Sequence, residues 1–177
     1  MDMPLNSGTR YASEYPLPGG VEKYFDTLVN LLRYLRDNKA TFDDISQWIF
    51  ATFPNASGQI AVNGYIATLG RLDLWSEQDG FCRLTPDGAA LVRDAESSPA
   101  EARRLVLDIK CRVFSGYDLL VTLLSQGPHT LDDLHEYLKR ALDVDWKTKN
   151  QTSFRVNWLR SLGYVVTRAM DLRETPL

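Results

Sequence analysis

Tyr65-Ile-Ala-Thr-Leu-Gly70 and Trp158-Leu-Arg-Ser-Leu-Gly163 place an aromatic residue, a leucine and a closing glycine at the same spacing. Reading outward from both shows an internal repeat, which has to be recognised before any fold assignment. Upstream, Thr41-Phe-Asp-Asp-Ile45 aligns with Thr130-Leu-Asp-Asp-Leu134. Further upstream, Phe25-Asp-Thr-Leu-Val-Asn-Leu-Leu32 aligns with Tyr117-Asp-Leu-Leu-Val-Thr-Leu-Leu124. Downstream, Arg83-Leu-Thr-Pro86 aligns with Arg173-Glu-Thr-Pro176. Each match alone carries little, but four in one order define two copies.

The copies share their local chemistry. In the first, Val21, Tyr24, Phe25, Leu28, Leu31, Leu32 and Leu35 recur at helical spacing and give one apolar face. Thr41 and Thr130 each precede an apolar-periodic run, with Asp44 and Asp133 three residues later. That pattern is an N-cap with an acidic third position, which assigns these acidic pairs to capping rather than to an active site. The third helix of each copy is expected to stop at Gly70 and Gly163 in the left-handed conformation. Strand-like runs follow, Arg71-Leu-Asp-Leu-Trp75 and Tyr164-Val-Val-Thr167, then the polar turns Glu77-Gln-Asp-Gly80 and Ala169-Met-Asp171 and a return strand. Between the copies, Ser98 as N-cap, Pro99 and Glu101 start a further helix with Leu105, Ile109 and Val113 as its apolar stripe.

Three helices followed by a hairpin is the winged-helix order. Arg83-Leu-Thr-Pro-Asp-Gly-Ala-Ala-Leu91 also resembles the LTxxGxxL element that often follows the wing in that superfamily. The expected fold is therefore mostly α with small β-hairpin wings: two tandem winged helix-turn-helix domains over 21–92 and 113–177. A helical linker over 93–112 joins them, and a flexible arm covers 1–20. In the first copy the Thr-Pro step leads into a closing helix, whereas the second copy reaches that step at Pro176. The register thus predicts a polypeptide continuing past Leu177, into an effector such as a nuclease or an ATPase by analogy.

The composition, 44% hydrophobic and 24% charged over 177 residues, is that of a globular chain rather than a disordered or fibrous one. No apolar run has the length of a membrane span, and the first twenty residues lack a secretion signal. Cys82 and Cys111 lie in different segments without metal-ligand spacing, so a reducing cytoplasm is expected, with no metal or cofactor. His129 and His135 are the only histidines, and no HExxH motif, nucleophile elbow or phosphate-binding glycine loop is present. No catalytic residue is predicted, and any catalysis would reside in another part of the longer protein.

Charge is uneven. The net charge is −3, with residues 1–88 holding 7 basic and 11 acidic side chains and residues 89–177 holding 13 and 12. Lys147, Lys149, Arg155, Arg160, Arg168 and Arg173 stand against only Asp171 and Glu174 in the last stretch. A helix-turn-helix protein reads duplex DNA with the N-terminal part of its third helix, and Asn, Arg and Lys supply base-edge and phosphate contacts. The expected partner is therefore double-stranded DNA, contacted by Lys147, Lys149, Asn150, Gln151, Ser153, Asn157 and Arg160, with Arg168 and Arg173 on the wing. The helical wheel directs Phe154, Trp158, Leu159 and Leu162 to the core and leaves Arg155 in the same arc, partly buried and structural. The matching positions of the first copy, Ser57, Ile60, Gly64 and Ala67, are small or apolar, and fit self-association or domain packing better than phosphate.

Ser153-Phe-Arg-Val-Asn-Trp-Leu-Arg-Ser-Leu-Gly-Tyr-Val165 is similar to the recognition helix and following strand in the N-terminal winged-helix domain of Mrr-type restriction proteins. That resemblance, about sixty residues long, implies a DNA-specificity module of a restriction-type or other DNA-processing protein, with a separate nuclease domain doing the cutting. A transcriptional regulator, or a winged-helix scaffold for protein interaction without DNA, remains an alternative reading of the same residues.

Overall fold

Two capping boxes set the phase of the helices. The computed structural model describes residues 13–56 and 58–166. In the first copy a single 3-10 turn, Val21–Lys23, leads into α1 (Tyr24–Asp37), α2 (Phe42–Thr52) and α3 (Gly58–Gly70). A hairpin follows, β1 (Trp75–Gln78) and β2 (Phe81–Leu84), then α4 (Pro86–Ser97) and α5 (Pro99–Val113). The second copy supplies α6 (Tyr117–Ser125), α7 (Leu131–Leu142) and α8 (Asn150–Ser161). The chain is mostly helical, with one two-stranded antiparallel sheet among the described residues. No helix there is long and apolar enough to cross a membrane.

At α2 the Thr41 hydroxyl accepts from the Asp44 amide at 3.2 Å, and the Asp44 carboxylate accepts from the Thr41 amide at 2.8 Å. At α7, Thr130 and Asp133 repeat the exchange at 3.1 Å each way. These bonds satisfy helix-end donors that have no intrahelical partner, and they hold both aspartate carboxyls below their usual range. Helix α1 buries Tyr24, Phe25, Leu28, Leu31, Leu32 and Leu35, the face that its periodicity gives.

The hairpin turns at Asp79 and Gly80, both at positive φ (52° and 80°), the geometry that matches the twist of a tight antiparallel pair. The strand starts later than expected. Arg71 to Leu74 form turns that bury Leu72 and Leu74, and pairing begins at Trp75 opposite Leu84. Helix α3 also runs through Gly70 rather than stopping there in the left-handed region; Asp73, at φ 53°, takes that conformation instead. At Gly70 a Cβ would lie 3.3 Å from Trp75 Nε1, a tight contact that the indole would have to ease by a few tenths of an ångström. Gly163 does sit at positive φ (81°). Thr85 caps α4 by accepting from the Gly88 amide at 3.2 Å, with Pro86 in the first turn. A Cβ at Gly88 would fall 1.9 Å from the Leu74 carbonyl oxygen, so the glycine lets α4 press against the base of the hairpin.

Four further expectations are corrected in whole or in part. Ser98 is the N-cap residue of α5 and Pro99 its first residue, as expected, but the cap is made by backbone alone: the Ala102 amide donates to the Ser98 carbonyl at 3.1 Å and the Ser98 side chain makes no cap bond. The buried stripe of α5 is Ala102, Val106, Ile109 and Lys110, rotated from the expected one so that Leu105 and Val113 are only half-buried. The arm is not loose in its described part: Glu14 and Leu17 are 1% and 4% exposed. After Gly163, the described residues 164–166 form no strand, and the rest of the expected second hairpin, with Ala169-Met-Asp171, lies outside the described residues.

The two copies share one continuous cluster of buried side chains. Helix α8 packs on the 3-10 turn and on α1: the Tyr24 and Trp158 rings meet at 5.5 Å, and the Phe25 amide donates to Ser161 Oγ at 2.7 Å. Gly88→Ala is expected to destabilise the chain by about 1–3 kcal/mol, because the clash is with backbone that no rotamer relieves. A urea melt of the variant against the parent chain checks this, and an unchanged midpoint would contradict the packing.

Candidate nucleic-acid interface

The loop between α7 and α8 delivers Lys147, Lys149 and Asn150 to the surface, all exposed at the N-terminal end of α8. First-turn amides at such an end lack intrahelical acceptors and favour anions. Both lysines have carboxylate partners: Lys147 pairs with Asp145, whose carboxyl it holds below the usual range, and Lys149 pairs with Asp132 at the start of α7. His135 fixes the junction behind them. Its Nδ1 lies 3.0 Å from Thr152 Oγ1, and its ring stacks at 6.1 Å on Trp146.

From Gln151 onward, α8 turns inward. Gln151 clamps the backbone of Glu14, accepting from its amide at 2.9 Å and donating to its carbonyl at 3.0 Å. Asn157 hydrogen-bonds the Tyr24 hydroxyl, and Arg160 pairs with Glu22. Ser153 is half-buried. Thr152, Arg155, Trp158, Leu159 and Ser161 are buried, whereas Phe154, expected in the core, is half-buried. The wheel drawn from α8 alone left Asn157 and Arg160 outward, but α1 and the 3-10 turn cover that side. Of the nine residues expected at DNA, the structure gathers Lys147, Lys149 and Asn150 at one exposed end. It engages Gln151, Asn157 and Arg160 in contacts within the chain, and Arg168 and Arg173 lie outside the described residues.

The helix expected to self-associate is likewise partly taken. Gly64 is covered by Tyr15 of the same chain, so a Cβ there would meet that ring at 2.8 Å. Ile60, 88% exposed, and Ala67 remain at the surface, and Ser57 lies outside the described residues.

Sequence reasoning missed a buried ionic cluster. The Glu14 carboxylate pairs with Lys110 Nζ, accepts from the Tyr117 hydroxyl at 2.7 Å and lies 3.9 Å from Arg155 Nη1. Arg155 Nε donates to the Ser115 carbonyl at 3.0 Å, and Nη1 donates to the Gln151 carbonyl at 3.0 Å. Lys110 Nζ also stands 3.8 Å above the Trp158 ring. Burial pushes the Lys110 ammonium down from 10.5 to about 8 against the pull of Glu14; burial and then the Glu14 carboxylate hold Tyr117 well above its ordinary value. The signal for Lys110 was its place on the Ala102–Val106–Ile109 face.

No group of three or more His, Cys, Asp or Glu side chains that could hold a metal occurs among the described residues. No family model, curated protein or solved structure matches this chain.

Glu14→Gln leaves Lys110 and Arg155 buried without their carboxylate, and a loss of about 3–5 kcal/mol is expected in a denaturant melt. Glu14→Gln with Lys110→Met should recover much of that loss; a double variant as unstable as the single would contradict the pairing. Lys110 titrates at about 8 folded and 10.5 unfolded, so the unfolded chain binds more protons between those values. Stability from this group therefore rises with pH across that window, opposed by the raised Cys82 and Cys111 thiols as their unfolded value of 9.0 is approached and by the raised Tyr24 and Tyr117 hydroxyls as theirs of 10.0 is. Denaturant melts at stepped pH check this, and Lys110→Met should remove the rise.

Proposed function

We propose that the chain is a non-catalytic DNA-binding module built on two winged-helix units, serving the specificity function of a larger DNA-processing protein. The observation that carries this reading is the exposed N-terminal end of α8, where Lys147, Lys149 and Asn150 stand together at the part of a third helix that meets the major groove. The ion pairs to Asp145 and Asp132 do not remove the lysines from use. Both are surface pairs, of a kind contributing about 0–1 kcal/mol, and duplex phosphates displace such carboxylates with release of counterions. The buried part of α8 acts as support: Asn157, Arg160 and Gln151 fix the helix against α1 and the arm, and so fix the direction in which its end points. The order of helices and hairpin in residues 24–97 supports the winged-helix assignment.

A second reading, a winged-helix scaffold for protein contacts, is favoured by α3, which carries no charged side chain and exposes Ile60. Fluorescence anisotropy on a mixed-sequence duplex separates the two. The expected result is salt-sensitive binding, and Lys147→Glu with Lys149→Glu should weaken it and reduce the salt slope by about 2, since each phosphate contact contributes ~0.9. An unchanged slope and affinity in that variant would remove α8 from the interface. No binding by the parent chain at low salt would leave the scaffold reading.

A further inference from the structure

Residues 13–17, Ser-Glu-Tyr-Pro-Leu, lie across α3, α5, α6 and α8 as an extended segment without regular structure of its own. What surrounds them has the parts of a peptide-recognition site. Their main chain is held by side chains: Arg71 donates to the Ser13 carbonyl at 2.8 Å, Gln151 brackets Glu14, and the Tyr15 amide donates to Thr68 Oγ1 at 3.1 Å. One side chain is selected by charge, because Glu14 enters the fully buried pocket of Lys110, Tyr117 and Arg155. The next is selected by shape, because the Tyr15 ring lies on Gly64, where any Cβ would intrude at 2.8 Å. Leu17 is the apolar anchor, 4% exposed. Every receptor group follows the arm in sequence, and Pro18, Gly19 and Gly20 join the two, with both glycines at positive φ (97° and 98°).

We propose that this groove is a binding site for an extended glutamate–aromatic segment, filled here in cis by residues 13–17 and able to receive the same segment from a second copy of the chain. The second copy is the occupant the chemistry names, since it carries the matching Glu-Tyr-Pro-Leu. Exchange of an identical element needs rotation only at the short hinge, and a hinge of that kind is where swapping begins. The inference does not rest on the DNA reading.

The test uses the full chain carrying Tyr15→Ala, which weakens its own arm so that a peptide in excess can displace Glu14 from the pocket. A fluorescent, end-blocked peptide of residues 13–18 is titrated against it. Saturable binding is expected, at least about tenfold weaker for the same peptide with glutamine at the glutamate position, tenfold being the equivalent of 1.4 kcal/mol. Absence of saturation, or equal binding of both peptides, overturns the site. The Tyr15→Ala chain is then mixed with a Gly64→Ala chain, which has a sound arm and an obstructed groove. Sedimentation is expected to show a mixed dimer that neither variant forms alone, and a mixture that stays monomeric overturns the exchange. Should Gly64→Ala not fold, Thr68→Ala, which loses only the bond to the Tyr15 amide, takes its place with the same expected outcomes.

Discussion

A single carboxylate, Glu14, closes the structure. It reaches a pocket where Lys110 comes from α5, Tyr117 from α6 and Arg155 from α8, so one buried anion touches the linker helix and two helices of the second copy. Burying charge is expensive unless every charge is met by a partner and a hydrogen bond, and here Ser115, Gln151 and the Trp158 ring complete the set. Such a cluster adds little net stability compared with an apolar core of equal shape. Removing any one partner would leave a buried ion stranded, so the cluster ties these three helices to the arm in the observed arrangement.

The apolar packing accepts that relation. Tyr24 meets Trp158, Phe25 is bonded to Ser161, and α8 packs on the 3-10 turn and α1 of the first copy. What is left outside is the end of α8 with its lysines. A recognition surface gains from such an arrangement, because a site held on a rigid element presents its groups in a fixed geometry. The first copy contributes a hairpin whose base is tied twice, by Gly88 against Leu74 and by the Cys82 amide donating to the Ala40 carbonyl at 2.7 Å.

Much of this was legible in the residues wherever the determinant was local. The two Thr-x-x-Asp caps, the apolar face of α1 and the Asp79-Gly80 turn each need only a few neighbouring positions to be read. Arg155 was readable too, since the helical wheel set it among apolar positions. Reading failed where a distant segment decided. The wheel left Asn157 and Arg160 free because it could not show Tyr24 and Glu22 lying against them. Glu14 gave no signal, because a lone acid in a proline-containing arm has no period, and its pocket is spread over three helices far along the chain. The candidate site shrank for the same reason, from a full helix face to one helix end.

The arm also has a consequence for the order of events on the ribosome. Glu14 is made well before its clamp, since Gln151 lies 137 positions later. At 5–20 residues per second, synthesis keeps them apart for roughly seven to thirty seconds. Through that interval the helices of the first copy can form and pack from local contacts, while the pocket for Glu14 still lacks Arg155 and Gln151. The full set of contacts around this segment can thus close only once α8 has been made.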